Sequence, residues 1–242
     1  MKANSANSQF QIYGGKDPRG LPAYTVVEVA HYLGLPKITL RRWVRGQRYS
    51  GQQGWSRFAA LIHPPEDGQG HLSFVNLTEA YVLSAIRRRH SIPLQKVRLA
   101  LDCLEQQFAS AHPLAEIQFQ TNGVDLFAER LGQLINVSQR GQLAMRDLMR
   151  EYLHRVERNE AGQAVRLFLL TRTGLLDQPR FVVIDPSLAF GRPALASYGI
   201  PTAAIADRYK AGDSMDPLAA DYGCVVEAIE EAIRCELQLD VA

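Results

Sequence analysis

The sequence is poor in cysteine and contains no long apolar run. Its 242 residues include three cysteines, Cys103, Cys224 and Cys235, which are widely spaced and odd in number. A disulfide framework or a cysteine-rich metal site needs more cysteines at closer spacing, so we expect free thiols in a reducing compartment. No apolar stretch approaches the roughly 20 residues of a membrane-spanning helix. Residues 1–11 are polar, unlike an export signal, and we expect a cytoplasmic protein without a membrane partner.

The motifs on which most enzymes depend are also missing. The sequence has no glycine-rich loop with the spacing of a dinucleotide site or a P-loop. Its six histidines are scattered without the spacing of metal ligands. Asp185 precedes a proline and is expected to cap a turn, and Asp213 lies near a predicted helix start, where a carboxylate complements the helix dipole. We therefore predict no catalytic residue, no metal site and no cofactor, which is to say a protein that is not an enzyme.

Charge is divided unevenly between the two halves of the chain. The net charge is only +2, but residues 1–110 hold 14 Lys and Arg against 7 Asp and Glu. Residues 111–242 hold 13 Lys and Arg against 18 Asp and Glu. A basic front half suits nucleic acid, whereas an acidic back half suits a protein partner, and a basic one in particular.

Two short helices joined by a glycine-containing turn are predicted between about Thr25 and Val44. Thr25 can accept a hydrogen bond from a free N–H of the turn that follows, as N-cap residues do. Apolar residues at helical spacing follow it, and Gly34 can supply the positive φ of a helix end. Pro36 suits the first turn of the second helix, because its missing N–H has no partner there in any case.

The second helix has one face for burial and another for an acidic partner. The apolar residues that we expect to be buried are Ile38, Leu40, Trp43 and Val44. The residues left for the partner are Lys37, Thr39, Arg41, Arg42 and Arg45. Two short helices with a basic second member are typical of a helix-turn-helix unit, whose recognition helix enters the DNA major groove. We therefore predict operator DNA as a partner; an ordinary solvated face is the less favoured alternative, because the next loop is basic too.

The segment from Gly46 to Gly70 is rich in glycine and carries Arg48 and Arg57. Because it follows the recognition helix and is predicted to return as a strand over residues 71–75, it is typical of a wing that contacts the DNA backbone. A surface loop without contacts is the alternative.

Two longer helices are predicted after the wing, from Asn76 to Arg89 and from Pro93 to Phe108. The first ends in three cations, Arg87, Arg88 and Arg89. They can complement the helix dipole, contact phosphate, or do both.

Three segments together resemble a MerR-type winged-helix domain. They are residues 24–46, with T-L-R-R-W at Thr39 to Trp43, then L-S-F and N-L-T-E within residues 72–79, and S-I-P-L-Q-K-V at residues 91–97. The resemblance covers about residues 24–108 and implies that Thr39, Arg41, Arg42 and Arg45 face DNA. The long wing and the lack of a following coiled coil with an effector domain depart from that family, so effector sensing is not expected. Because one such unit contacts one half-site, we predict a homodimer on a palindrome.

The middle of the chain, residues 111–179, is predicted to be a small α+β connector. Polar and apolar residues alternate over residues 116–120, and T-N-G at residues 121–123 is a turn signal. We therefore expect a β-hairpin within residues 114–141, with a short strand from Phe127 to Val137. An amphipathic helix is expected from Arg146 to Glu160, followed by an apolar strand from Val165 to Thr171.

The C-terminal residues, 180–242, are predicted to form a helix-turn-helix-like bundle after a strand at residues 182–184. Thr202 can cap a helix that ends near Lys210. A second helix begins near Ser214 and ends at Gly223, and a last, acidic helix runs from Val225 to Leu239.

Five short motifs in this region occur in the order I-D-P, G-R-P, G-I-P-T, Y-K-A-G and D-Y-G. Together they resemble a small bacterial domain, once of unknown function, that occurs in VapB-type antitoxins. The resemblance spans about residues 180–237. Cys224-Val225-Val226 departs from it, because a polar cap is expected at that helix start.

This second resemblance implies an antitoxin that neutralises a PIN-like ribonuclease toxin and represses its own operon. Such a nuclease holds a divalent metal ion through carboxylates, and antitoxins often offer an arginine to that site; Arg192 and Arg234 are the candidates. The alternative is a stand-alone MerR-like transcriptional regulator whose C-terminal domain mediates dimerisation.

The predicted fold class is mainly α with small β elements (α+β). The predicted division is a lead-in at residues 1–23, a winged helix-turn-helix domain at 24–110, a connector at 111–179 and a C-terminal helical domain at 180–242. We call residues 24–110 the head and residues 180–242 the C-terminal domain.

Overall fold

The structure, a computed structural model, describes residues 13–51, 54–89, 94–116, 119–135, 138–172 and 177–237. Within these ranges, residues 48–51, 54–58, 86–89, 94 and 121 are described for the backbone only. The predicted fold class is confirmed, because the described chain is mainly helical with two small antiparallel sheets. No helix in the described ranges is long and apolar enough to cross a membrane.

In its described residues the head contains four α-helices, a short 3-10 helix at Glu66–Gly68 and a two-stranded hairpin. Its elements are α1 (Val26–Tyr32), α2 (Lys37–Arg45), β1 (Gln47–Gly51), β2 (Gly54–Phe58), α3 (Phe74–Arg89) and α4 (Leu94–Phe108). The lead-in contributes a short 3-10 helix at Pro18–Gly20, capped by the Asp17 side chain.

The rest of the chain alternates helices with short strands. Its elements are α5 (Val124–Ile135), α6 (Gln139–Leu153), β3 (Val156–Arg158), β4 (Ala164–Phe168), β5 (Val182–Ile184), β6 (Ala194–Leu195), α7 (Thr202–Lys210), α8 (Met215–Tyr222) and α9 (Val226–Leu237).

The larger sheet has the antiparallel order β3-β4-β5-β6. Leu167 of β4 pairs with Ile184 of β5, and Val182 of β5 pairs with Leu195 of β6. All three β5 residues are buried, because α9 packs on β5 and β6. A strand buried on both faces is a continuous apolar run rather than an alternating one, which is the pattern that V-V-I shows.

One connected apolar core spans both ends of the molecule. Its buried side chains run from Val29 and Trp43 in the first two helices, through Phe74 and Phe127, to Ile229 on α9. The head and the C-terminal domain therefore pack together.

The prediction for residues 114–141 is wrong. A 3-10 helix forms at Pro113–Ala115, a single π turn at Phe119–Gly123, and α5 covers most of the predicted strand at residues 127–137. The buried residues of α5 recur at helical spacing; they include Val124, Phe127, Ala128 and Leu131. This helical pattern is longer than the short alternation of polar and apolar residues before it, and it is the better predictor of the structure here. Residues 117–118 and 136–137 lie outside the described residues.

Other boundaries differ less. The predicted helix at residues 146–160 is α6, which begins earlier because Ser138 accepts a hydrogen bond from Gly141 N–H at 3.3 Å. It also ends earlier, at Leu153, and residues 156–158 of the predicted helix form β3 instead. The strand predicted at residues 71–75 is reduced to a bridge between Leu72 and Tyr24, since α3 already begins at Phe74. The predicted helix start at Pro93 lies outside the described residues.

The buried Glu79 carboxyl of α3 pairs with the partly exposed imidazole of His112, in the segment before α5. Glu79 is 3% exposed and accepts hydrogen bonds from Asn76 Nδ2 at 3.1 Å and from His112 Nδ1 at 3.1 Å. The Glu79 carboxyl holds the pKa of His112 above its usual range, and burial raises the pKa of Glu79. A group whose folded pKa is raised stabilises the fold most below its unfolded pKa, and this contribution is lost as pH rises through the folded value.

We therefore expect the free energy of unfolding to fall as pH rises from about 6 to about 8, the window above the ordinary histidine pKa. His112→Gln keeps a hydrogen-bond donor but cannot titrate, so its stability should depend less on pH over this window. Urea unfolding of both proteins at several pH values measures the difference. Equal slopes in the two proteins would show that this pair does not titrate with folding.

Candidate nucleic-acid interface and the seam behind it

The first two helices form as their sequence predicts. The Thr25 hydroxyl accepts from Glu28 N–H at 3.2 Å, and the Glu28 carboxylate accepts from Thr25 N–H at 2.7 Å, which closes a capping box. Gly34, with φ of 57°, follows the end of α1. Pro36 is the N-cap of α2, and Gly46 ends α2 with φ of 70°.

The predicted recognition helix α2 is anchored by its apolar side. Leu40 is fully buried and Trp43 is 2% exposed. The Trp43 carbonyl oxygen also accepts from Leu61 N–H at 2.7 Å and from Ile62 N–H at 3.1 Å, which fixes the segment after the wing against this helix. The position of α2 is therefore set by burial and by backbone hydrogen bonds on one side.

The opposite side of α2 is cationic. The exposed cations are Lys37, Arg41, Arg42 and Arg45. The helix contains no Asp or Glu, so no side chain of α2 itself neutralises this positive charge. Such a surface can offer paired N–H donors to guanine and single contacts to phosphate.

Two residues of α2 do not lie where the sequence placed them. Thr39 was expected at the interface, but it is only 3% exposed, so it is buried in the head. Ile38 was expected in the core, but it is 51% exposed. A helix turns by about 100° per residue, so the burial of Leu40 and Trp43 brings Thr39 inward and leaves Ile38 on the cationic side.

The predicted wing is a β-hairpin directly after α2. Strands β1 and β2 pair from Gln47↔Phe58 to Gly51↔Gly54, and Arg48 and Arg57 are direct register partners. Their side chains lie outside the described part, as do those of Arg87, Arg88 and Arg89, whose backbone forms the last turn of α3. The phosphate contacts proposed for these five arginines stay predictions.

The head is joined to the C-terminal domain by a seam of polar contacts. Tyr24 is 1% exposed and its hydroxyl donates to the Gly191 carbonyl oxygen at 3.0 Å. Burial raises the pKa of Tyr24, so the hydroxyl stays protonated and can donate. Tyr13 donates to the Pro186 carbonyl oxygen at 2.8 Å. We call these contacts, with those of Arg192, the seam.

Arg192 belongs to the seam, which changes its predicted role. Its guanidinium forms an ion pair with Glu28 of α1 and donates to the Tyr32 hydroxyl at 3.4 Å. Its side chain is 45% exposed, but its charge is already paired within the molecule. Arg192 is therefore a weaker candidate for a toxin's metal site than the sequence indicates.

Arg234 lies elsewhere, on the far helix α9. It lines an open groove of about 400 Å³ together with Met215, Glu230, Ile233 and Leu237. The structure thus separates the two arginines, placing one against the head and the other beside an apolar groove.

The seam could not be inferred from the sequence. Glu28 stands three residues after Thr25, a spacing that predicts a capping box, but its partner Arg192 is 164 positions away. Gly191 was visible only as part of the G-R-P motif. No local pattern connects these positions.

The described residues contain no group of three His, Cys, Asp or Glu side chains that could hold a metal ion. The three cysteines are free thiols.

Two family models match this chain. Residues 22–101 match one described as "Putative DNA-binding HTH domain", and residues 182–234 match one described as "Protein of unknown function (DUF433)". The first match overlaps most of the head, and the second lies in the C-terminal domain.

Similar proteins are known in Mycobacterium tuberculosis. The chain is 30% identical to "Putative antitoxin VapB45" over 231 residues, which covers 88% of this chain and 93% of that protein. It is 26% identical to "Uncharacterized protein Rv2308", covering 87% of this chain and 88% of the other. The crystal structure of Rv2018 matches with a TM-score of 0.64 at 24% identity, covering 88% of this chain and 98% of that one, and it supports the fold alone.

Proposed function

This chain belongs to the family of the Mycobacterium tuberculosis protein "Putative antitoxin VapB45", and from that premise we propose that it is the antitoxin of a type II toxin–antitoxin pair. Its HTH domain and its antitoxin-like relative indicate a DNA-binding, antitoxin-like protein. In our proposal the head, a MerR-like winged helix, binds the operator of its own operon. The C-terminal domain binds and neutralises a PIN-like ribonuclease, in the cytoplasm and without a cofactor.

The observation that carries the proposal is the extent of the similarity. It includes nearly all of the VapB45 relative, so both the head and the C-terminal domain have counterparts there. The cationic side of α2 supports the DNA-binding half, since Lys37, Arg41, Arg42 and Arg45 are exposed together on one short helix. One head reaches one half-site, so we propose a homodimer on a palindromic operator.

For the toxin we propose contact at the groove beside Arg234. The groove offers apolar side chains for burial, and the Arg234 guanidinium can pair with a carboxylate of the partner. A nuclease whose metal is held by carboxylates has such groups in its active site. Arg192 remains a secondary candidate, because pairing with a toxin would require it to leave Glu28.

A second candidate function is a stand-alone transcriptional regulator. The seam favours it, because it gives the C-terminal domain a structural role against the head without any partner. In that case the C-terminal domain would serve dimerisation, and no toxin would exist.

The test is co-purification of the full chain with the product of the neighbouring small open reading frame, followed by a ribonuclease assay. We expect a stable complex in which nuclease activity is suppressed. Arg234→Ala should weaken the complex, whereas Arg140→Ala, at an exposed arginine of α6, should leave it unchanged. A neighbour with no nuclease activity and no complex would support the regulator instead.

A further inference from the structure

Ile38 is an exposed apolar residue on α2. It is 51% exposed, although Leu40 and Trp43 of the same nine-residue helix are almost fully buried. An exposed apolar side chain needs no explanation when it stands alone on an ordinary surface. Whether the exposed Ile38 has a function therefore depends on the residues around it.

Ile38 lies in the middle of the cationic side of α2. Arg41, Arg42 and Arg45 follow it by three, four and seven positions, which places them within about 60° of Ile38 around the helix axis. Lys37 precedes it and is also exposed. A solvated helix face would mix both charge signs, but α2 has no Asp or Glu. A single apolar side chain thus stands among four cations.

Its position along the helix is equally specific. Ile38 is the second residue of α2, and the N-terminal residues of a recognition helix are the ones that contact base edges. Further along the helix, Arg45 is better placed for the backbone. The first turn is therefore where a side chain without charge can contribute to sequence recognition.

The major groove offers one apolar group to such a side chain. Thymine presents its 5-methyl group there, while guanine presents two acceptors that suit an arginine. We propose that Ile38 contacts a thymine methyl in each half-site, next to a guanine bound by Arg41 or Arg42. This inference rests on the proposed function, in which α2 binds operator DNA, and adds the base class that it recognises.

The test uses duplexes selected by the full-length protein from a random-sequence pool. In the best duplex each thymine is replaced in turn by deoxyuridine, which removes the methyl group and leaves base pairing intact. We expect one position in each half-site at which the replacement weakens binding about three- to fivefold, the effect of burying one methyl group. At that position Ile38→Ala should bind thymine and deoxyuridine equally.

Two control variants make the result specific. Ile38→Val keeps a branched side chain and should retain most of the thymine preference. Leu143→Ala removes an equally exposed apolar side chain, 53% exposed on α6, and should retain all of it. Alanine favours helices more than isoleucine does, so Ile38→Ala should not unfold α2.

The inference is overturned if Ile38→Ala keeps the full thymine preference, or if no thymine is sensitive in the wild-type complex. It is also overturned if Ile38→Ala lowers self-association in sedimentation while the preference stays, since Ile38 would then be a protein contact. A pool from which no sequence is enriched is a different result, because it contradicts operator binding itself.

Discussion

The variant Arg41→Ala/Arg42→Ala should bind its operator at least about thirtyfold more weakly than the wild type. Each arginine can make a bidentate contact to guanine, and a good contact of this kind contributes roughly 1–3 kcal/mol of discrimination. Both side chains are exposed on α2, so their removal leaves Leu40 and Trp43 in place and the head folded. Equilibrium binding to the selected duplex at fixed salt, with circular dichroism as a folding check, measures the effect.

The matched control is Arg130→Ala/Arg140→Ala, which removes the same charge from exposed positions on α5 and α6. It should reduce affinity only a few-fold, through the weaker field around the molecule. The two double variants should also differ in specificity. Only the loss of Arg41 and Arg42 should reduce the difference between the affinity for operator DNA and the affinity for random DNA. Equal losses in the two variants would show that α2 does not read bases.

Gly191→Ala should destabilise the protein by about 2–5 kcal/mol. Gly191 has φ of 75°, which an alanine adopts only with strain. A Cβ atom there would lie 2.5 Å from the Tyr24 hydroxyl oxygen, so the seam would also have to open, with a cost typical of overpacking. Chemical denaturation gives the change in free energy of unfolding.

Two further variants separate strain from packing. Gly70 has a similar φ of 85° with nothing within 4 Å of an added Cβ, so Gly70→Ala should cost only the strain, about 1–2 kcal/mol. Tyr24→Phe removes the hydroxyl that the new methyl group meets. If adding Tyr24→Phe to Gly191→Ala does not recover part of the lost free energy of unfolding, the seam is not the source of the effect.

The paired helices of the head were predictable because their signals are local. Three residues, Thr25, Gly34 and Pro36, each mark a helix end, because each acts only on the backbone of nearby residues. The same holds for Ser214 and Gly223 around α8, where Gly223 adopts the left-handed conformation. Such boundaries need no knowledge of the rest of the fold.

Ile38 and Thr39 show where local patterns fail. Sorting residues by polarity places isoleucine inside and threonine outside. On a helix, however, the direction of each side chain is fixed by its position in the sequence. The two largest apolar anchors, Leu40 and Trp43, set the rotation of α2, and the neighbouring side chains follow from it. Of the residues predicted to face DNA on α2, the four cations are the ones that the structure leaves exposed, and their contact with DNA stays a prediction.

The hairpin predicted at residues 114–141 failed for a related reason. A short alternation and a T-N-G turn signal are weak, whereas the helical period of α5 extends over three turns and is satisfied by burial against α4 and α6. The seam could not be predicted for another reason. Its contacts Tyr24–Gly191 and Glu28–Arg192 join positions more than 160 residues apart, so no local pattern indicates them.

The central claim is most directly tested by growth rescue. The neighbouring small open reading frame is induced in a bacterial host, alone and together with this chain or its Arg41→Ala/Arg42→Ala variant. We predict that the neighbour alone arrests growth and that both forms of the chain restore it, because our proposal assigns neutralisation to the C-terminal domain and operon control to the head. Growth that is never arrested, or arrest that neither form relieves, would contradict the antitoxin function.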